Sequence, residues 1–440
     1  MADGTLADAL AAALLAGPWT EPEMTARVRE TVGVPRAAWP ARFAAEVLTA
    51  VPVAPVDAPR RLAGLVARSP VLDAAVRDGE RRDRPLTVVH RVFTAARMGH
   101  DRFGVPRLDG PDDLAALLHV EPAELDWFAD VRGYQRRAPG TALHHYRYRW
   151  LAKRGVPRLL EVPKPRLREL QRRLLRAVLR PVPVHPAAHG FVPGRSAVTG
   201  ARRHTGAAVV VRFDLAAFFA TVTAPAVYGR FRALGYPEAV AHALTGLTTH
   251  RTPVHVLSGL PPGGSPADRT AARLWWSAAH LPQGAPTSPA LANLCATGLD
   301  RRLTGLARAL DATCTRYADD LTFSGGPARA AGAGRLERAV AAIAADEGFT
   351  LNPAKTLVRG AGARQVVTGI VVNDHPAVPR EEFDRFKALL HNCVVHGPRT
   401  QDREGHRDFR GHLAGRLGWF EAVDPVRARR LRERFDAIEW

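Results

Sequence analysis

The chain has 440 residues, 46% hydrophobic and 24% charged, a balance that excludes wholesale disorder and allows two or three structural units. Its three cysteines (Cys295, Cys314, Cys393) exclude a disulfide framework or a four-thiolate zinc site and suit a reducing, cytoplasmic setting. Lys and Arg number 62 against 43 Asp and Glu, a formal net charge of +19, and no run of about 18 apolar residues is present to cross a membrane.

The first 140 residues contain no lysine and no recognisable motif, and they read as amphipathic helices broken by Pro-rich turns. One helix is expected to start at Asp112 and another near Glu121, where Leu125, Trp127 and Phe128 supply an apolar face. Residues 131–210 then hold eighteen Lys and Arg against two acids, Glu161 and Glu169, a net of +16. A solvated charged face usually carries both signs, so this imbalance points to a polyanionic partner, nucleic acid above all. Within the basic stretch, Leu167, Leu170, Leu174, Leu175, Val178 and Leu179 recur at helical spacing, with Arg172, Arg173 and Arg176 on the other face.

Ala207 to Phe213 is apolar except for Arg212 and reads as a buried central strand. Gly259 to Pro266 is expected to be a mobile loop. Between Thr315 and Phe323 short strand-like pieces flank a tight acidic turn, and Gln365 to Val372 reads as one further strand. After Pro379 the pattern is helical to the end. All but four of the basic residues are arginine; the lysines are Lys153, Lys164, Lys355 and Lys387. Where arginine is the default, a lysine marks a candidate place for a compact charge whose proton can be given up.

Tyr317-Ala318-Asp319-Asp320 sets two carboxylates side by side at a hairpin tip, and Asp214 ends the apolar run before it. Adjacent carboxylates are costly unless a cation sits with them, and strand-end carboxylates from neighbouring strands suit a two-metal phosphoryl-transfer site. Taken alone, an Asp-Asp pair is most often a surface turn.

The pair does not stand alone. Together with Phe213-Asp214-Leu215-Ala216-Ala217-Phe218-Phe219 and Leu281-Pro282-Gln283-Gly284-Ala285-Pro286-Thr287-Ser288-Pro289, it resembles palm motifs A, B and C of the reverse transcriptases, in that order. Lys153 to Arg158 and Pro163-Lys164-Pro165 through Gln171 resemble the fingers. Gly348-Phe349 with Asn352-Pro353-Ala354-Lys355-Thr356 resembles motif D, and Val367-Thr368-Gly369 resembles motif E. The resemblance implies an α+β right-hand polymerase with an α-helical N-terminal extension (1–140), fingers and palm (141–375) and a helical thumb (376–440).

It also implies roles. Asp214, Asp319 and Asp320, with the Leu215 carbonyl, hold two Mg²⁺ ions; Lys355 gives a proton to departing pyrophosphate, which arginine could not do. Phe219 is the steric gate against a ribose 2′-hydroxyl, with an ordinary core aromatic fitting Phe218 better. Gln283, Lys153 and Arg158 contact the incoming dNTP, although either basic residue also suits a general phosphate contact. Lys164, Arg172, Arg173, Arg176, Arg195 and His204 are the candidate nucleic-acid contacts.

His189-Gly190-Phe191-Val192-Pro193-Gly194-Arg195-Ser196, followed by Ala201-Arg202-Arg203-His204, resembles the retron branch, with Gly200 where that branch carries Asn. That branch implies a structured non-coding RNA as template and primer, copied into single-stranded DNA within antiphage defence. Any effector would be a separate protein. Three readings compete: a defence reverse transcriptase without a retron RNA, a group II intron maturase and a non-catalytic RNA-binding scaffold.

Overall fold

The computed structural model describes residues 4–92, 96–99, 101, 103–137, 141–152, 155–326 and 332–440. The chain forms two compact units, one comprising Met1–Val182, Thr223–Gly263 and Ser277–Thr287 and the other Pro183–Val222, Gly264–Trp276 and Ser288–Trp440.

In the first unit, helices span Gly4–Leu15, Glu21–Val32, Trp39–Ala50, Pro59–Val66 and Pro70–Arg81. Proline stands in the first turn of the last four, where the missing N–H has no intrahelical partner to lose. Leu10, Leu14, Met24, Val28, Phe43, Val47, Leu62, Val66 and Leu72 close over one another as a core of their own. The helices expected near Asp112 and Glu121 span Pro111–Leu118 and Pro122–Ala129. The second lies against the helix Glu238–Thr248 so closely that a Cβ on Gly246 would collide with the Ala129 carbonyl oxygen.

Strands β1 (Tyr146–Leu151) and β2 (Arg158–Pro163) pair antiparallel in the same unit. The helical spacing after them gives an α-helix over Pro165–Leu174 and then a π-helical turn, Leu175–Leu179. The wider turn keeps Leu174, Val178 and Leu179 buried together.

The second unit carries a four-stranded antiparallel sheet of β3 (Val209–Asp214), β4 (Ala312–Tyr317), β5 (Asp320–Gly325) and β6 (Leu357–Gly360), in the order β4-β5-β3-β6. As its apolar run demands, β3 is central and buried apart from half-buried Arg212. Gln365–Val372 corrects the expectation of one strand. It is a hairpin of two short strands, β7 (Val366–Val367) and β8 (Ile370–Val371). Thr368 (φ 48°) and Gly369 (φ 86°) are both left-handed between them, the requirement of a two-residue hairpin turn. The C-terminal helices Arg380–His396, Phe409–Val423 and Pro425–Asp436 bury Phe386, Leu390, Leu417, Phe420 and Leu431 in one cluster with Val367 and Ile370.

Because the Gly246 collision is with backbone, which cannot swing aside, Gly246→Ala should lower stability by about 1–3 kcal/mol. Urea unfolding followed by circular dichroism checks this through a lowered midpoint.

Candidate active site

The acidic residues meet through strand pairing. Asp214 at the end of β3 is the direct cross-strand partner of Asp320 at the start of β5, so the two side chains share one end and one face of the sheet. Asp319 lies in the β4–β5 turn, whose Ala318 takes φ 55°. The chain beyond β3 stays beside that turn, with Leu215 N–H donating to the Asp319 carbonyl at 2.9 Å. Asn352 N–H donates to the Asp214 carbonyl at 2.7 Å, which anchors the short 3-10 turn Pro353–Lys355 and brings Lys355 Nζ to 2.5 Å from Asp214 Oδ1.

Among the described residues two cations serve the three carboxylates: Lys355 on Asp214, and Arg212 Nη2 at 3.4 Å from Asp320 Oδ1. Burial pushes the Asp319 carboxyl above the usual range. Its own backbone N–H opposes this, the charges of Asp214 and Asp320 add to it, and Lys355 offsets part. A carboxylate cluster short of positive charge is the donor chemistry of a hard divalent cation. Among the described residues, no three His, Cys, Asp or Glu side chains close around one point. Mg²⁺ does not need such a cage, since it keeps water and substrate phosphate oxygens among its ligands. The residues fit that ion.

Behind the turn lies a network that residue spacing did not reveal. Arg316 and Asp300, each 1% exposed, pair through two bonds of 2.7 Å, Nε to Oδ1 and Nη2 to Oδ2. Arg316 Nη1 donates to Asn293 Oδ1 at 3.0 Å and to the Ala318 carbonyl at 3.1 Å, while Asn293 Nδ2 donates to the Gly190 carbonyl at 2.9 Å. A Cβ on Gly190 would meet Ala318 N at 2.7 Å, so only glycine lets the His189–Ser196 segment lie this close to the turn. The one available sequence signal was an arginine inside a strand, which so arginine-rich a chain obscures.

Phe219 is half-buried with its ring centroid 5.6 Å from that of Phe218, and Phe218 is buried and stacks on Phe349 at 5.7 Å. In the first unit, half-buried Gln283 accepts from Glu161 N–H at 2.9 Å through its backbone carbonyl, and Arg158 is exposed at the start of β2. Lys153 lies outside the described residues.

The basic candidates divide by burial. Arg172 and Arg176 are exposed on the helical surface, with Arg176 3.6 Å from Glu169. Arg173 is half-buried and donates to Glu169 and to the Leu118 carbonyl. Lys164 Nζ donates to the Ala142 carbonyl at 2.8 Å. Arg195 reaches the His185 and Ala188 carbonyls at 2.7 and 2.8 Å, bracing its own loop.

His204 is a correction. It is 0% exposed, its Nδ1 is 2.7 Å from Ser324 Oγ and its Nε2 2.7 Å from Thr315 Oγ1. Both ring nitrogens are spent inside the fold, so the ring offers nothing to a nucleic acid. Glu161 also turns inward, 1% exposed, accepting from Thr252 Oγ1 at 2.7 Å and lying 2.8 Å from His280 Nε2. One of the two acids in the basic stretch is thus withdrawn from its surface.

Asp300→Asn strands the Arg316 guanidinium in the core and should cost about 3–5 kcal/mol, read as a lowered denaturant midpoint. Burial pushes the His204 imidazole down to about 3, with the nearby charges of His189 and Arg203 acting the same way. The unfolded ring takes a proton below about 6.5 and the folded one does not, so stability falls as pH drops through this window. The slope from this ring is about 1.4 kcal/mol per pH unit. Unfolding free energies measured between about pH 6 and pH 4 should show a flatter slope in His204→Gln.

Residues 151–365 match the family model described as reverse transcriptase (RNA-dependent DNA polymerase). The chain is 42% identical over 345 residues to the retron Mx65 reverse transcriptase of Myxococcus xanthus, an alignment covering 76% of this chain and 73% of that protein. It is 36% identical to the retron Mx162 reverse transcriptase of the same organism, over 76% of this chain and 68% of the relative. To the retron Ec86 reverse transcriptase of Escherichia coli it is 29% identical, over 66% and 80% respectively.

Proposed function

This chain belongs to the retron-type reverse transcriptases and is an RNA-directed DNA polymerase, and we propose that it copies a structured non-coding RNA into single-stranded DNA at Asp214, Asp319 and Asp320. The observation that carries the site is the Asp214–Asp320 cross-strand pair with Asp319 in the adjoining turn, which gathers three carboxylates at one end of the sheet. Asp214, Asp319, Asp320 and the Leu215 carbonyl would hold two Mg²⁺ ions. When bound, these neutralise charge on the attacking 3′-oxygen and the phosphates.

The remaining chemistry belongs to side chains. Lys355 holds a proton beside Asp214 and delivers it to the leaving pyrophosphate. Phe219, half-buried rather than sealed in the core like Phe218, excludes a ribose 2′-hydroxyl. Gln283, Arg158 and Lys153 receive the nucleotide. Arg172 and Arg176, exposed on their helix, support an assignment of that face to the phosphate backbone of template RNA.

We assign residues 1–140 to a helical extension, 141–375 to fingers and palm and 376–440 to the thumb. The self-contained apolar core built from the first five helices supports the first of these. Synthesis primed from a guanosine 2′-hydroxyl of the same RNA leaves a branched RNA–DNA product, which serves antiphage defence together with a separate effector protein.

The test is nucleic acid recovered with the protein from its native host, beside Asp319→Ala/Asp320→Ala, digested separately with RNase and DNase and sequenced. One discrete RNA joined to a short single-stranded DNA is expected, and the double variant should lack the DNA. DNA without linked RNA would assign the chain to template copying outside a retron. The same RNA in both proteins, with no DNA in either, would remove catalysis from these aspartates.

A further inference from the structure

Phe191 stands in a conformation that its side chain does not favour. Its φ is 62°, in the left-handed region that a bulky residue enters only at a cost, yet the residue is 48% exposed, so burial in a core does not repay the strain. The position is fixed from behind. Gly190 is held against the acidic turn by its close approach to Ala318 N and by the bond from Asn293, and the left-handed step at Phe191 directs the ring outward. There its centroid lies 6.2 Å from that of Phe219 and 6.3 Å from that of Tyr317, and both of those rings are half-buried. Three aromatic rings, one of them strained and open to solvent, thus stand beside the turn that carries Asp319 and Asp320.

We propose that Phe191 is a nucleobase-contacting residue of the polymerase, its exposed ring stacking on a base brought to the acidic turn. Stacking on aromatic faces suits a template-copying enzyme because every base offers a π-face, so affinity does not depend on sequence. The base belongs either to the end of the growing strand or to the incoming dNTP. The inference rests on the assignment of the acidic turn as the site of synthesis.

Full-length wild type, Phe191→Gly, Phe191→Leu, Phe191→Tyr and Asp319→Asn are compared by thermal melting, by anisotropy of a fluorescein-labelled DNA primer annealed to an RNA template without dNTP, and by single-nucleotide extension. Glycine suits the left-handed backbone, so Phe191→Gly should melt no lower than wild type while losing about tenfold in primer–template affinity or in kcat/KM for extension. Phe191→Tyr should stay close to wild type and Phe191→Leu should follow glycine. Loss of affinity without dNTP assigns the base to the strand end; a change confined to the KM for dNTP assigns it to the incoming nucleotide. Unchanged binding and extension in Phe191→Gly, leucine performing as well as tyrosine, or a Phe191→Gly chain that unfolds would each overturn the proposal, the last by making the ring structural. Asp319→Asn separates the two readings: it should bind the primer–template and fail to extend it. Extension by that variant would remove the site assignment and leave the binding result for Phe191 standing.

Discussion

The buried pair of Arg316 and Asp300 is the interaction on which the acidic end of the sheet depends. A guanidinium taken out of water needs its donors answered, and here Asp300, Asn293 and the Ala318 carbonyl accept four hydrogen bonds from it. The same bonds hold Ala318 in its left-handed turn, so the charge pair and the turn geometry are settled together. Asn293 passes the constraint to Gly190 and fixes a second segment against the turn. Arginine suits this place for its planar fork, which pairs with a carboxylate through two bonds while a third nitrogen reaches the backbone.

The front of the turn follows a different logic. Behind it Arg316 and Asp300 match each other, whereas before it, among the described residues, the three carboxylates share Lys355 and Arg212. Burial raises the proton affinity of Asp319, and the charges of Asp214 and Asp320 add to it. A fully paired acid cluster would have little use for a divalent cation, and a wholly unpaired one would be costly to keep together without it. The intermediate state suits the divalent cation proposed for these aspartates.

Charge counting located the basic segment, but burial decides what that charge faces. Glu161 is drawn inside by Thr252 and His280, which leaves the outward face more positive than the sequence count. Arg195 works in the opposite sense, its guanidinium given over to loop carbonyls. Arg172 and Arg176, at helical spacing on a face opposite buried leucines, keep theirs outward.

The sequence by itself determined the central strand, the acidic turn, the helical ends of the chain and the order of the polymerase motifs. These are local properties: an apolar run of strand length, two adjacent carboxylates between β-type residues, and a helical period. Family membership was legible for the same reason, because the motif residues lie in short blocks. Tertiary structure alone decided the register that sets Asp214 opposite Asp320, since pairing joins residues 106 positions apart. It split Gln365–Val372 at Thr368-Gly369, where a threonine adopts a turn conformation that composition does not announce. It also sorted one arginine or histidine from another. Arg316 and His204 look like their many neighbours in the sequence, and what separates them is burial against Asp300, Ser324 and Thr315, contacts that exist only once distant segments have packed.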